Sequence, residues 1–245
     1  MAFEALQPAI RFRTEDCIDL PPVTYQRRDC ELSGEQMKAM EDMRKHMVAE
    51  RDGATITAAN AAVKLAKLMQ LAQGAAYDDE GGTQILGAPG RVQAVKEIVE
   101  EADHKVIVWC PFRHSMDYLK QELGGIWKTA LINGSTSAKD RAEIITEFQR
   151  EDSDLKILVA HPATAAHGLT LATASICVWY GPTFSSEMWT QANARIIRPG
   201  QKHHMTIIQL GSTTLEWEAY GVAEAKTDRQ NKILDLYRKV TEKGA

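Results

Sequence analysis

Apolar positions change their rhythm near residue 105. Beyond it, Val106–Cys110 is a short apolar run with little alternation, which reads as a strand buried on both faces. Lys156–Ala160, Ser175–Trp179 and Thr206–Leu210 read as further strands. A further strand fits Thr129–Ile132. Helical spacing fits 114–123, 138–150 with Ser137 as its cap, 185–197 and 214–237. Strands alternating with helices over short connections imply an α/β fold with a mostly parallel sheet flanked by helices. Ligands on such sheets gather at the carboxyl ends of strands.

Before residue 105 the pattern is helical. Residues 1–32, with Pro21-Pro22 and Arg27-Arg28, read as an extended arm or linker. Ser33 and Gln36 have the spacing of a reciprocal capping box. The helix they open is expected to run to about Glu50, carrying Met37, Met40, Met43, Met47 and Val48 as core or as a partner-facing stripe. Arg51-Asp52-Gly53 breaks the pattern, and a second helix fits 57–73 with Leu65, Leu68 and Met69 on its apolar side. Tyr77–Gln84 reads as a turn or short hairpin. Pro89-Gly90 then introduces a helix over 91–102 with Val92, Val95, Ile98 and Val99 on one face. The resulting division is an arm over 1–32, a helical segment over 33–104 and an α/β lobe over 105–245.

A chain of 245 residues can bury one sizeable core with a smaller helical appendage. Its formal charge of -4 and pI near 6.0 give no bulk argument for nucleic acid, so phosphate contacts would need a local patch. No apolar run approaches the roughly 20 residues that cross a bilayer, and the first residues lack a signal-peptide pattern. Cys17, Cys30, Cys110 and Cys177 form no CxxC pair. Cys110 and Cys177 lie inside apolar runs, as small buried hydrophobes do, and a reducing, cytoplasmic setting is expected.

The chemistry centres on residues 191–201. Arg195 and Arg198, three apart, would share one side of a helical turn that Pro199-Gly200 ends. Planar guanidinium forks match phosphate oxygens, although the same pair could serve surface carboxylates. A phosphate cradle is missing: Gly81-Gly82, Gly87–Gly90 and Gly124-Gly125 all fall outside a GxxxxGK[ST] pattern, and no DExx run follows a strand. His203-His204 and the His161/His167 pair have no metal-ligand spacing, and no GxSxG elbow occurs. The small-residue loop 161–171 would let backbone approach a ligand. Gly134-Ser135-Thr136 would either cradle a phosphate or cap helix 138–150. Together with the arginines these loops would place three polar elements on one sheet edge.

Gln191-Ala-x-x-Arg195-x-x-Arg198-x-Gly200-Gln201 resembles motif VI of the SWI/SNF-related ATPases, the DNA translocases of helicase superfamily two. Lys105–Phe112 resembles motif IV. Leu131–Ser137, with Arg141 and Phe148, resembles the family's GSTS segment, and 157–171 resembles motif V. Thr213–Glu216 resembles the stretch opening its last helix. The resemblance covers 105–220 and extends to 33–104 as the introducing helices. His167, Thr170 and Ile197 depart from the usual motif residues.

The resemblance implies the second (C-terminal) RecA-like lobe of a helicase-like, DNA-dependent ATPase, inactive alone and completed by a Walker-motif lobe in cis or in trans. ATP and Mg2+ would bind only in the completed enzyme, and the DNA would be double-stranded. Arg198 would be the principal arginine finger, with Arg195 assisting at the phosphates and Gln191 organising the helix. Gly168 would bring motif V to the nucleotide. Thr136, Thr164, Ser135 and Arg113 would face the nucleic-acid backbone. Short segments between motifs suggest a compact bacterial or phage member, acting in the bacterial cytoplasm. The alternative is a non-enzymatic DNA-binding or interaction module that keeps the fold.

Overall fold

The structure, a computed structural model, describes residues 20–46, 48–51, 54–57, 61–78, 80–167, 171–225 and 229–242. Six strands form the main sheet: β1 (Val23–Asp29), β6 (Lys105–Trp109), β7 (Thr129–Ile132), β8 (Ile157–Ala160), β9 (Ala174–Trp179) and β10 (Met205–Gly211). Their order is β1-β10-β9-β6-β8-β7, and every neighbouring pair is parallel. β6 is buried throughout its length, as its unbroken apolar run requires. Its alternate side chains feed two different cores. Val106, Val108 and Cys110 join Val92, Val95, Met116 and Leu119 on one face. Ile107 and Trp109 join Phe148, Trp189, Ile196 and Tyr220 on the other.

The helices are α1 (Gly34–His46), α2 (Ala61–Ala72), α3 (Pro89–Glu101), α4 (Arg113–Gly124), α5 (Ala138–Gln149), α6 (Ser186–Asn193), α7 (Thr214–Glu224) and α8 (Arg229–Glu242). Met40 and Met43 of α1, Leu65, Leu68 and Met69 of α2, Val222 of α7, and Leu236 and Val240 of α8 make a third core. Met37 is exposed, so only part of the methionine stripe is interior. The expected capping box is present: Gln36 N donates to Ser33 Oγ at 3.2 Å and Ser33 N to Gln36 Oε1 at 3.0 Å.

Several boundaries differ from the sequence reading. Within the arm expected over 1–32, Val23–Asp29 is a strand of the main sheet, pairing in register from Val23↔Met205 to Asp29↔Gly211. α1 ends at His46, because β-branched residues after it pair as an antiparallel hairpin, β2 (Val48–Arg51) with β3 (Ala54–Thr57). The helix expected from residue 57 therefore begins at Ala61. Met47 and Gly53 lie outside the described residues. The hairpin expected near Tyr77–Gln84 is β4 (Ala75–Tyr77) with β5 (Thr83–Ile85). Asp78 ties its turn by accepting from Gly82 N and Gln84 Nε2. The last helix is two: the backbone turns extended at Ala225, and the restart at Arg229 lets α8 pack on α2 as well as α7.

Candidate phosphate-facing site

Three loops leave the carboxyl ends of adjacent strands β6, β8 and β7. The loop after β6 delivers Arg113, exposed in the first turn of α4. A cation there opposes the helix dipole, so local electrostatics give no reason for it. The loop after β7 is knotted by Asn133, whose Oδ1 accepts from Ser135 N at 2.9 Å, Ser135 Oγ at 2.7 Å and Thr136 Oγ1 at 3.5 Å. Ser137 then caps α5 through Asp140 N. Both candidate hydroxyls thus turn their protons inward, and to donate to a phosphate they would have to exchange these bonds. After β8, Thr164 is buried and donates Oγ1 to His161 O at 2.6 Å. Gly168, the remaining candidate in this segment, lies outside the described residues.

The arginine segment is not the helix end that its spacing suggested. α6 stops at Asn193, whose side chain is turned into the core and accepts from Trp179 Nε1 at 2.9 Å. From Ala194 the chain runs in successive turns that bury Ile196, and Gly200, with φ +92, reverses it. Arg195 and Arg198 therefore stand on turns. Arg195 O accepts from Leu171 N at 3.2 Å. Buried Gln201 donates Nε2 to Ala174 O at 2.9 Å and Ile196 O at 3.4 Å. These bonds tie the turn to the entry of β9, not to the carboxyl rim where the three loops lie. α6 nonetheless packs on the short 3-10 helix Pro162–His167, so the arginine segment and the post-β8 loop form one unit. Gln191 donates to Glu187 Oε1 at 2.9 Å, along its own helix.

Burial lowers the Arg195 pKa, and the charge of Arg198 lowers it further. The two guanidiniums thus sit within each other's field on a half-buried turn. That arrangement suits an anion, whose charge would offset both effects.

The sequence reading missed a second arginine centre. Arg91, fully buried at the start of α3, donates to Ala72 O at 3.0 Å, Tyr180 O at 2.5 Å, Leu210 O at 3.2 Å and Ser212 Oγ at 3.1 Å. It also pairs with Glu216, which is equally buried. Burial works against the Arg91 charge, but Glu216, with smaller contributions from Cys30, Tyr180 and Tyr220, outweighs it and the pKa is raised. Glu216 Oε2 accepts from Ser212 N at 2.9 Å and Thr213 Oγ1 at 3.2 Å. The Thr213–Glu216 spacing carries a capping-box signal, whereas nothing local signals the partner 125 residues away. This centre joins the ends of α2, β9 and β10 to the start of α7. It is architecture behind the site, as are the buried Cys110 and Cys177, whose thiol pKa values burial pushes up.

The helicase conserved C-terminal domain matches residues 90–200. The fold is that of a RecA-like C-terminal lobe. The crystal structure of the C-terminal part of the Fun30 ATPase domain superposes with a TM-score of 0.69 at 18% identity, covering 91% of this chain and 99% of that one. The Sulfolobus solfataricus SWI2/SNF2 ATPase core in complex with dsDNA gives a TM-score of 0.63 at 21% identity, covering 94% of this chain and 52% of that one. Among curated proteins, the chain is 24% identical to nuclear protein STH1/NPS1 of Saccharomyces cerevisiae over 96% of its own length and 18% of that protein's. It is 24% identical to the SWI/SNF chromatin-remodeling complex subunit snf22 of Schizosaccharomyces pombe, over 88% of this chain and 14% of that protein. The chain thus spans less than a fifth of the length of these relatives. Neither is bacterial or viral, so they lend no support to a bacterial or phage origin.

Proposed function

We propose that the chain is the second lobe of a SWI/SNF-type, DNA-dependent ATPase and that Arg198 and Arg195 meet the nucleotide phosphates when a Walker-motif lobe closes on it. The observation that carries this reading is a turn, fixed by buried Ile196 and Gln201, that bears Arg195 and Arg198 within residues 90–200 that match the helicase domain. A bound nucleotide supplies the phosphoryl group, and Arg198 stabilises the charge that develops on it. Arg195, more constrained by burial, holds the phosphates and its neighbour. Gln191 keeps α6 in order through Glu187. Mg2+ and the water-orienting acid come from the other lobe, because this chain offers the arginines without a phosphate cradle. Alone, the chain hydrolyses no ATP.

Arg113, set against the dipole of α4, is the first choice for contact with a DNA backbone. Ser135, Thr136 and Thr164 follow once their inward bonds exchange. Its setting follows its DNA, which for the relative named nuclear is the nucleus and for a compact bacterial or phage member would be the bacterial cytoplasm.

The test is DNA-stimulated ATP hydrolysis by this chain, a candidate first lobe, and the two combined. Activity is expected only in the mixture, and Arg198→Ala should lower it about 10³-fold or more, as loss of an arginine finger does. A folded pair that stays inactive, with tight DNA binding by this chain alone, would replace this reading with a passive DNA-binding module.

A further inference from the structure

His161 is the first residue beyond β8, and it touches three loops. Its backbone N–H donates to Ile132 O at the end of β7 at 3.1 Å. Its carbonyl accepts from Thr164 N at 2.8 Å and Thr164 Oγ1 at 2.6 Å. The imidazole makes two more bonds with opposite polarity. Ala163 N, which can only donate, lies 3.2 Å from Nδ1, so Nδ1 accepts. Pro111 O, which can only accept, lies 3.0 Å from Nε2, so Nε2 carries the proton. Only the neutral Nε2–H tautomer satisfies both. Burial, which outweighs the Pro111 bond, lowers the pKa and favours that form.

A residue required only to cap the post-β8 turn would need the acceptor at Nδ1. The bond to Pro111 crosses to the post-β6 loop, two residues before Arg113. We propose that His161 is a positioning residue, a strut through which the post-β8 turn bearing Thr164 and the post-β6 loop leading to Arg113 move as one body. This rests on the proposed function, in which both loops face DNA. It adds that, beyond the β6–β8 ladder that ends where Cys110 N donates to Ala160 O at 3.0 Å, one imidazole holds the two loops in register.

Two conservative variants separate strut from cap. The longer amide of His161→Gln can donate to Pro111 O where Nε2 does. His161→Asn can accept from Ala163 N but is too short to reach Pro111. The first readout is amide hydrogen exchange across 112–116 in the chain alone. His161→Ala and His161→Asn should speed it about fivefold, the effect of one lost hydrogen bond, while His161→Gln should stay near wild type. The second readout is hydrolysis by the two-lobe pair. His161→Ala and His161→Asn should raise the DNA concentration for half-stimulation about fivefold with little change in kcat at saturating DNA, and His161→Gln should restore it.

Rescue by Asn in place of Gln would reduce His161 to a cap and overturn the proposal. So would unchanged exchange across 112–116 in His161→Ala. If the wild-type pair does not hydrolyse ATP, the two-lobe reading falls, and the exchange pattern still decides for or against the strut.

Discussion

Glu216→Leu should be among the most damaging single substitutions in this chain. It leaves the Arg91 guanidinium fully buried with three carbonyls and one hydroxyl as its remaining neutral partners. Breaking a buried pair in this way typically costs about 3–5 kcal/mol. A folded domain has a total stability of only about 5–15 kcal/mol, so much of the margin would go. Arg91→Met should cost a similar amount, since it leaves the Glu216 carboxylate buried with one backbone N–H and one hydroxyl.

The combined variant is the informative one. It removes both charges and costs Tyr180 O its Arg91 donor and Ser212 N its Glu216 acceptor, about 1–3 kcal/mol for each group left unsatisfied, while Ala72 O keeps Gln36 Nε2 and Leu210 O keeps the Tyr220 hydroxyl. The double variant should therefore be no less stable than the worse single. Urea denaturation of the four proteins measures the cycle, with each single lowering the midpoint by about 1 M or more at an unchanged slope. Additivity within about 0.5 kcal/mol would refute the reading that the two charges support one another.

Two further outcomes follow from other buried groups. His114 stacks on Phe112 at 5.6 Å and meets the edge of Tyr77 at 5.2 Å, and burial pulls its pKa down to about 4. Below about pH 6.5 the unfolded chain binds a proton that the folded chain refuses, so about 3 kcal/mol of stability should be lost as pH falls to about 4. His114→Phe should flatten that part of the pH profile in thermal or urea melts, and an identical slope would sink the assignment. Gly181→Ala would place a Cβ on the carboxamide of Gln73, which is fully buried. It should destabilise by about 1–3 kcal/mol, with partial recovery on adding Gln73→Ala, and a neutral melt would contradict the close approach.

The central strands were legible because burial on both faces writes an unbroken apolar run, as in Val106–Cys110. The edge strand β1 was not. Its residues Val23–Asp29 are half-exposed and polar, and the partner that orders them begins at Met205. Local reading saw an arm because the pairing is non-local. The same limit hid Arg91 and Glu216: an arginine after Pro-Gly and a capping glutamate are each ordinary until the fold brings them together. The capping box of Ser33 and Gln36, by contrast, lies within four residues and could be read directly.

The arginine pair shows the limit from the other side. Spacing of three on an assumed helix placed both side chains on one face, and Arg195 and Arg198 do lie in each other's field. The helix was the wrong cause. Asn193 is held by Trp179, Ile196 is buried and Gln201 is stitched to Ala174, so the chain must leave the helix after Asn193. The intervening residue Ile196 is thus the anchor that fixes the turn carrying the arginines. A pair on a helix could spread apart by rotamer change, at the usual small cost of moving long surface side chains. A pair set on a turn fixed by core residues on either side has its backbone positions set by packing. Such departures from local rules are what a preorganised ligand site is expected to show, and under the proposed function that ligand is the nucleotide phosphate.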